Sequence, residues 1–147
     1  MPDIILKRPN FVVADLDRAL ALYRDILGFS VTFIKTSDKS SYSYPTFAFG
    51  KSADLRFAIL STPTQPEIFA LTELKGQPLP EPRAPRDHAL VLKAADYDGL
   101  RQKLKDGGYR LLEEGRLQTH AGASGREQAF LDADGHTVLI YKLDESK

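Results

Sequence analysis

Val13-Ala14-Asp15-Leu16-Asp17-Arg18-Ala19 runs on through Leu20-Ala21 into Leu22-Tyr23-Arg24-Asp25-Ile26-Leu27-Gly28-Phe29. The apolar run before it, Ile4–Val13, is rich in β-branched residues and predicts a strand. Asp15 stands where a helix cap belongs, and the spacing predicts a helix over 16–27. In that helix Leu16, Leu20, Tyr23 and Leu27 fall on one stripe, which is the face a helix lays on a sheet. Gly28 supplies the stop.

Outward from this stretch, Phe29–Ile34, Tyr44–Gly50 and Leu55–Leu60 read as three further strands, the last two a hairpin across Lys51–Asp54. Residues 61–87 hold Pro63, Pro66, Pro78, Pro80, Pro82 and Pro85 and read as an extended connector. Glu67–Leu74 within it is apolar enough for a short strand or a helical turn. Then the pattern restarts. His88–Leu92 reads as a strand, Asp96 caps a helix carrying Tyr97, Leu100 and Leu104, and Gly107-Gly108 ends it. Tyr109–Glu113, Gln128–Leu131 and Thr137–Leu143 read as strands. Shifting the chain by 80 residues sets Leu20 on Leu100, Gly28 on Gly108, Phe29 on Tyr109 and Arg8 on His88. One further residue of drift sets Ala58 on Leu139. The expectation is an α+β chain of two tandem βαβββ modules in a single domain, 1–147. Module one spans 4–74, the connector 75–87 and module two 88–143.

Composition removes several function classes. The chain has 147 residues, 20 basic and 20 acidic, and no cysteine. Thiolate metal sites, disulfides and a thiol nucleophile are therefore excluded, and three histidines remain. Balanced charge argues against nucleic acid or an anionic membrane as partner. No apolar run approaches the length of a membrane span, and no signal pattern opens the chain, so a cytoplasmic location is expected.

The segments quoted at the start, with Leu131-Asp132-Ala133-Asp134-Gly135-His136, resemble motifs of the vicinal oxygen chelate superfamily. That superfamily includes glyoxalase I, extradiol dioxygenases and bleomycin- and fosfomycin-resistance proteins. The resemblance covers almost the whole chain. It implies a U-shaped mixed sheet around a cavity, helices on the outer face, and a homodimer. Metal-dependent members place a histidine on the first strand and a carboxylate on the last strand of each module. Carried onto this chain, those positions are Arg8, Ala58, His88 and Leu139, with Phe57 in place of Ala58 if the alignment slips by one. Only His88 is an ordinary ligand. The expectation is no metal cofactor. A metal, if one binds, would be a divalent Ni, Zn, Fe or Mn ion near His88.

Strand alternation then gives a list of inward residues: Arg8, Asn10, Arg56, Ala58, His88, Thr137, Leu139 and Tyr141, with Val12, Leu60, Leu90 and Leu92. Phe11, Val13, Phe57, Ile59, Ala89, Val91, Val138 and Ile140 should pack under the helices. Arg8 and Arg56 have two readings: a clamp for an anionic ligand, or guanidinium groups that close ion pairs or reach solvent. His88 has three: a neighbour-bonded remnant, a ligand contact, or a general acid–base. His136 reads as a turn residue, and Thr119–Arg126 as a surface loop or a lid. The function expected is metal-independent binding of a small anionic or aromatic metabolite or drug. The alternative is a glyoxalase- or dioxygenase-like enzyme with a non-standard metal site or His88 as base.

Overall fold

In the computed structural model, which describes residues 3–145, Asp15 caps the first helix as its side chain predicts, accepting from the Arg18 N–H at 3.0 Å. The strand before it, β1 (Asn10–Val13), is shorter than the apolar run. Helix α1 (Leu16–Tyr23) ends four residues before Leu27, and beyond Tyr23 bonds to the fourth and the fifth carbonyl back alternate. Asp25 N–H reaches Leu20 O at 3.1 Å and Leu27 N–H reaches Leu22 O at 2.8 Å. Gly28 then takes φ +88°, a conformation that costs a side chain-bearing residue.

Strand β2 (Ser30–Thr36) follows, then a correction. Tyr44–Gly50, expected as a strand, instead contains the short helix α2 (Ser43–Phe47). Pro45 sits in its first turn, where the missing N–H costs nothing. Tyr44 is buried there and donates its hydroxyl to Ala53 O at 2.7 Å. Strand β3 (Asp54–Thr62) and strand β4 (Gln65–Lys75) form the hairpin, so the turn lies at Pro63-Thr64 and not at Lys51–Asp54. Glu67–Leu74, expected as a short strand or a helical turn within the Pro-rich stretch, thus lies in the longest strand. It is central, parallel to β1 and antiparallel to β3, and the sheet order is β1-β4-β3-β2.

The second half repeats this order. Strand β5 (Ala89–Lys93), helix α3 (Tyr97–Asp106) capped by Asp96, β6 (Arg110–Leu111), β8 (Ser124–Leu131) and β9 (Thr137–Leu143) give β5-β9-β8-β6, with the unforeseen β7 (Gly115–Gln118) paired to β8. The duplicated βαβββ unit is therefore present as expected. The Thr119–Arg126 stretch is mostly the β7–β8 hairpin, and Ser124–Arg126 belong to β8. The described residues fall into two compact units that divide between Glu81 and Pro82.

Each unit lays its helix on one face of its sheet. In the N-terminal unit the Phe69 ring meets Phe11 and Tyr23 at 5.1 Å and Phe29 at 5.7 Å. In the C-terminal unit Tyr97 and Leu104 of α3 are buried together with Phe130, Val138 and Ile140. Among the described residues no helix is long and apolar enough to cross a membrane.

Candidate functional site

Sheet register settles which side chains share a face. Across β3 and β4, Arg56 pairs with Glu73, Ala58 with Leu71 and Leu60 with Phe69. Phe69 touches Tyr23 of α1, so this whole row lies under the helix. Arg56, Ala58 and Leu60 were expected on the opposite face, and this is corrected. Phe57 and Ile59 occupy the side away from α1, beside Thr72 and Ala70. A similar slip affects β5. Leu90 and Leu92 pair with Val138 and Ile140 under α3, whereas Ala89 and Val91 pair with Thr137 and Leu139 on the other side. The cause is visible in the caps: Asp15 and Asp96 are 81 residues apart, not 80. A slip of one inverts every side chain of a strand. Ladder position also moves the counterpart of Leu139. Asn10 pairs with Ala70, and Val91 pairs with Leu139, so Ala70 on β4 replaces Ala58 in that role.

Arg56 serves the helix. Its Nε and Nη2 donate to Glu73 at 2.9 and 3.1 Å, and Asp17 lies 3.7 Å away. Glu73 is only 5% exposed and also accepts the Leu16 N–H at 2.7 Å. Burial alone would raise its carboxyl, but the Arg56 guanidinium and the Leu16 N–H hold it below the usual carboxylate range. Arg8 lies half-buried just before β1, and its Nη1 donates to Glu67 O at 3.1 Å. Asn10 accepts from the Thr72 hydroxyl at 2.9 Å. Arg8, Asn10 and Arg56 are thus not brought together as one cationic cluster.

In the C-terminal unit His88 sits before β5, exposed, with Nδ1 2.9 Å from Asp87 Oδ1 and its ring 6.0 Å from that of His136. The side of the sheet away from α3 holds Thr137, Leu139 and Tyr141 along β9, as expected. Directly across on β8 stand Leu131, Ala129 and Glu127. Glu127 was not foreseen: its strand was expected to begin only at Gln128. Strand alternation carried one residue further back would have found it.

The two faces of this sheet treat their polar groups differently. Under α3, Tyr97 OH donates to Glu114 at 2.7 Å, and burial together with that bond pushes its hydroxyl pKa up. Arg101 donates to Gln128 at 2.6 Å, Gln128 to Leu112 O at 2.7 Å, and Arg126 to Asp98 at 3.1 and 2.9 Å. On the other face the Thr137 hydroxyl oxygen is buried without a hydrogen-bond partner among the described residues. Tyr141 and Glu127, both half-buried, likewise have no hydrogen-bond or ion-pair partner among them. Unmet polar groups around apolar Leu139 are what a small-molecule surface presents.

A family model described as Glyoxalase/Bleomycin resistance protein/Dioxygenase superfamily matches residues 5–140. The chain belongs to this superfamily. No curated protein gives a significant sequence match. The fold is similar to that of a glyoxalase family protein from Bacillus cereus, with 15% identity, a TM-score of 0.74 and 97% of each chain covered. It is also similar to TnmS3, an antibiotic binding protein from Streptomyces sp. CB03234, with 18% identity, a TM-score of 0.61, and 98% of this chain and 99% of that chain covered. The fosfomycin resistance protein FosX from Mesorhizobium loti has 16% identity, a TM-score of 0.55, and covers 97% of this chain and 93% of its own.

The glyoxalase-superfamily metal positions carry few donor atoms in this chain. Ala58, its ladder replacement Ala70, and Leu139 carry no donor atom, and Arg8 is a hydrogen-bond donor only. Among the described residues no group of three or more His, Asp or Glu side chains is placed to hold a metal ion. These residues do not fit a resident divalent ion at the superfamily's positions, which needs about three protein ligands.

Proposed function

We propose that this glyoxalase-superfamily chain is a metal-independent binding protein for a small aromatic metabolite or drug, working as a cytoplasmic homodimer. One observation carries the reading. On the face of the C-terminal sheet away from α3, Thr137, Tyr141 and Glu127 stand without hydrogen-bond partners among the described residues, around Leu139, Val91 and Ala129. Apolar contact supplies affinity there at about 25 cal/mol per Å² buried, and the polar groups fix orientation. The anionic alternative drew on Arg8 and Arg56, which already serve Glu67 O, Glu73 and Asp17. That a structural neighbour is an antibiotic binding protein is in keeping with this reading.

Two measurements test it. Metal analysis of the purified protein should find no stoichiometric Ni, Zn, Fe or Mn, and stoichiometric metal would overturn metal independence. A panel of planar aromatic compounds should raise the melting temperature, because a ligand bound only to the native state stabilises it. Leu139→Asp should remove that rise. Persistence of the rise in the variant would place the ligand elsewhere.

A second reading, an enzyme using His88 as base, is favoured by the Asp87–His88 contact at 2.9 Å. Mass spectrometry of a compound recovered after incubation separates the two: a binding protein returns it unchanged.

A further inference from the structure

We infer that Glu127 gives this face a polarity, so that the ligand it takes is a small aromatic molecule bearing a protonated amine. This deepens the small-molecule reading above and rests on it. Three rows cross the sheet away from α3. Ala89, Thr137 and Leu131 form the first, Val91, Leu139 and Ala129 the second, and Lys93, Tyr141 and Glu127 the third. The middle row is wholly apolar. Thr137 and Tyr141 are four residues apart on β9, so the strip between them is about 13 Å long, the length of a fused-ring compound with a polar group at each end. Val91 at the strip's edge is 57% exposed.

The Glu127 end carries the charge. Residues directly opposite in antiparallel pairs have Cβ atoms about 5 Å apart, so Glu127 and Tyr141 flank one spot. On its other side Glu127 pairs with Gly115, where no side chain intrudes. A Cβ built on Gly115 would stand 3.8 Å from Glu127 Cγ. The neighbouring arginines turn to the other face: Arg126 binds Asp98 and Arg116 binds Asp144. Lys93 shares the row but is exposed and two strands from Glu127, about 10 Å at ordinary strand spacing. Glu114 is also half-buried and already accepts the Tyr97 hydroxyl. The Glu127 carboxylate accepts nothing from the described residues. A half-buried acceptor of this kind is completed by a charge-assisted donor, and a protonated amine on an aromatic frame supplies one.

Three matched probes test this: 2-naphthylmethylamine, 2-naphthylmethanol and 2-naphthoate. Each is titrated into the full chain, with dissociation constants taken from the methyl resonances of Val91 and Leu139. The amine should bind about tenfold tighter than the alcohol, and the carboxylate weakest. Glu127→Gln, close in size and on a half-buried strand position, should bring the amine down to the alcohol's affinity. Tyr141→Phe should keep the amine preference. Because the readout is a ratio between probes in one sample, partial unfolding of a variant does not imitate it. If the alcohol binds without an amine preference, or if the preference survives Glu127→Gln, the assignment to Glu127 is overturned and the binding reading stands. If none of the probes moves these resonances, both fall.

Discussion

The two units solve the same packing problem with different chemistry. Asp17 at the start of α1 faces Arg56 on β3, and Asp98 at the start of α3 faces Arg126 on β8, so one ion pair is repeated. The rest diverges. Leu20 in α1 stands where α3 has Arg101, and Ala58 on β3 where β8 has Gln128. The N-terminal unit fills this space with aliphatic and aromatic side chains, and the C-terminal unit with the Arg101–Gln128–Leu112 chain of hydrogen bonds. Both solutions leave the polar groups beneath the helix satisfied. The polar groups named beneath either helix have a structural occupation, whereas the one buried side-chain oxygen without a partner among the described residues, that of Thr137, lies on the side away from α3.

The largest test of this contrast is a matched pair of truncations. Phe69 and Val138 are equivalent positions: Phe69 precedes Ala70, the partner of Asn10, and Val138 precedes Leu139, the partner of Val91. Phe69 is the hub of three ring contacts at 5.1 to 5.7 Å. Phe69→Ala should cost about 3–5 kcal/mol, and Val138→Ala, which removes two methyl groups, about 2 kcal/mol. Urea unfolding measures both. Equal costs would mean that the N-terminal core does not depend on its aromatic cluster.

Next comes the buried carboxylate beneath the helix of the N-terminal unit, Glu73. Glu73→Gln should destabilise by about 2 kcal/mol at neutral pH, since it weakens two Arg56 bonds while Arg56 remains part-buried. The pH dependence has a definite sign. The folded-state pKa lies below the unfolded value, so this stability is present above about pH 4.5 and is lost as pH falls through the folded value. Melting temperature recorded from pH 7 to pH 3 should fall less steeply in Glu73→Gln than in the parent. Asp98→Asn, at an exposed pair in the other unit, should have the smaller effect. Parallel curves for Glu73→Gln and its parent would remove Glu73 as the acid-sensitive group.

Where local chemistry dictates structure, the sequence was readable. Asp15, Asp96, Gly28 and Gly108 announced the helix ends, and both caps and both positive-φ glycines are present. The unit repeat was legible because these signals recur. Strand β4 was obscured because Phe69–Leu74 is buried on both faces, which erases alternation, and because Pro66 and Glu67 at its start imitate a connector. Its loss carried Ala58 into the role of Ala70. The faces of β3 and β5 were misread because whole-chain alignment tolerates a slip of one residue and side-chain direction does not. Thr137, Leu139 and Tyr141 were placed on one face, but Arg56 was not assigned to its place beneath α1, since its pairing partner Glu73 is distant in sequence.

The smallest test concerns the last hairpin of each unit, which needs one residue in the left-handed region. The C-terminal unit uses Gly135 at φ +86°, and the N-terminal unit uses Glu67 at φ +53°. A side chain-bearing residue there costs about 1–2 kcal/mol, whereas glycine adopts it freely but returns about 0.5–1 kcal/mol of chain entropy to the unfolded state. Glu67 persists because its backbone is held from both sides: its N–H donates to Ser61 Oγ at 2.8 Å, and its carbonyl accepts from Arg8 at 3.1 Å. Both contacts use backbone atoms, so Glu67→Gly keeps them. The substitution should therefore raise stability by about 0.5–1 kcal/mol, read as a higher urea midpoint with an unchanged slope. A lower midpoint would show that the Glu67 side chain itself holds the left-handed backbone there. The two hairpins would then differ in design and not merely in strain.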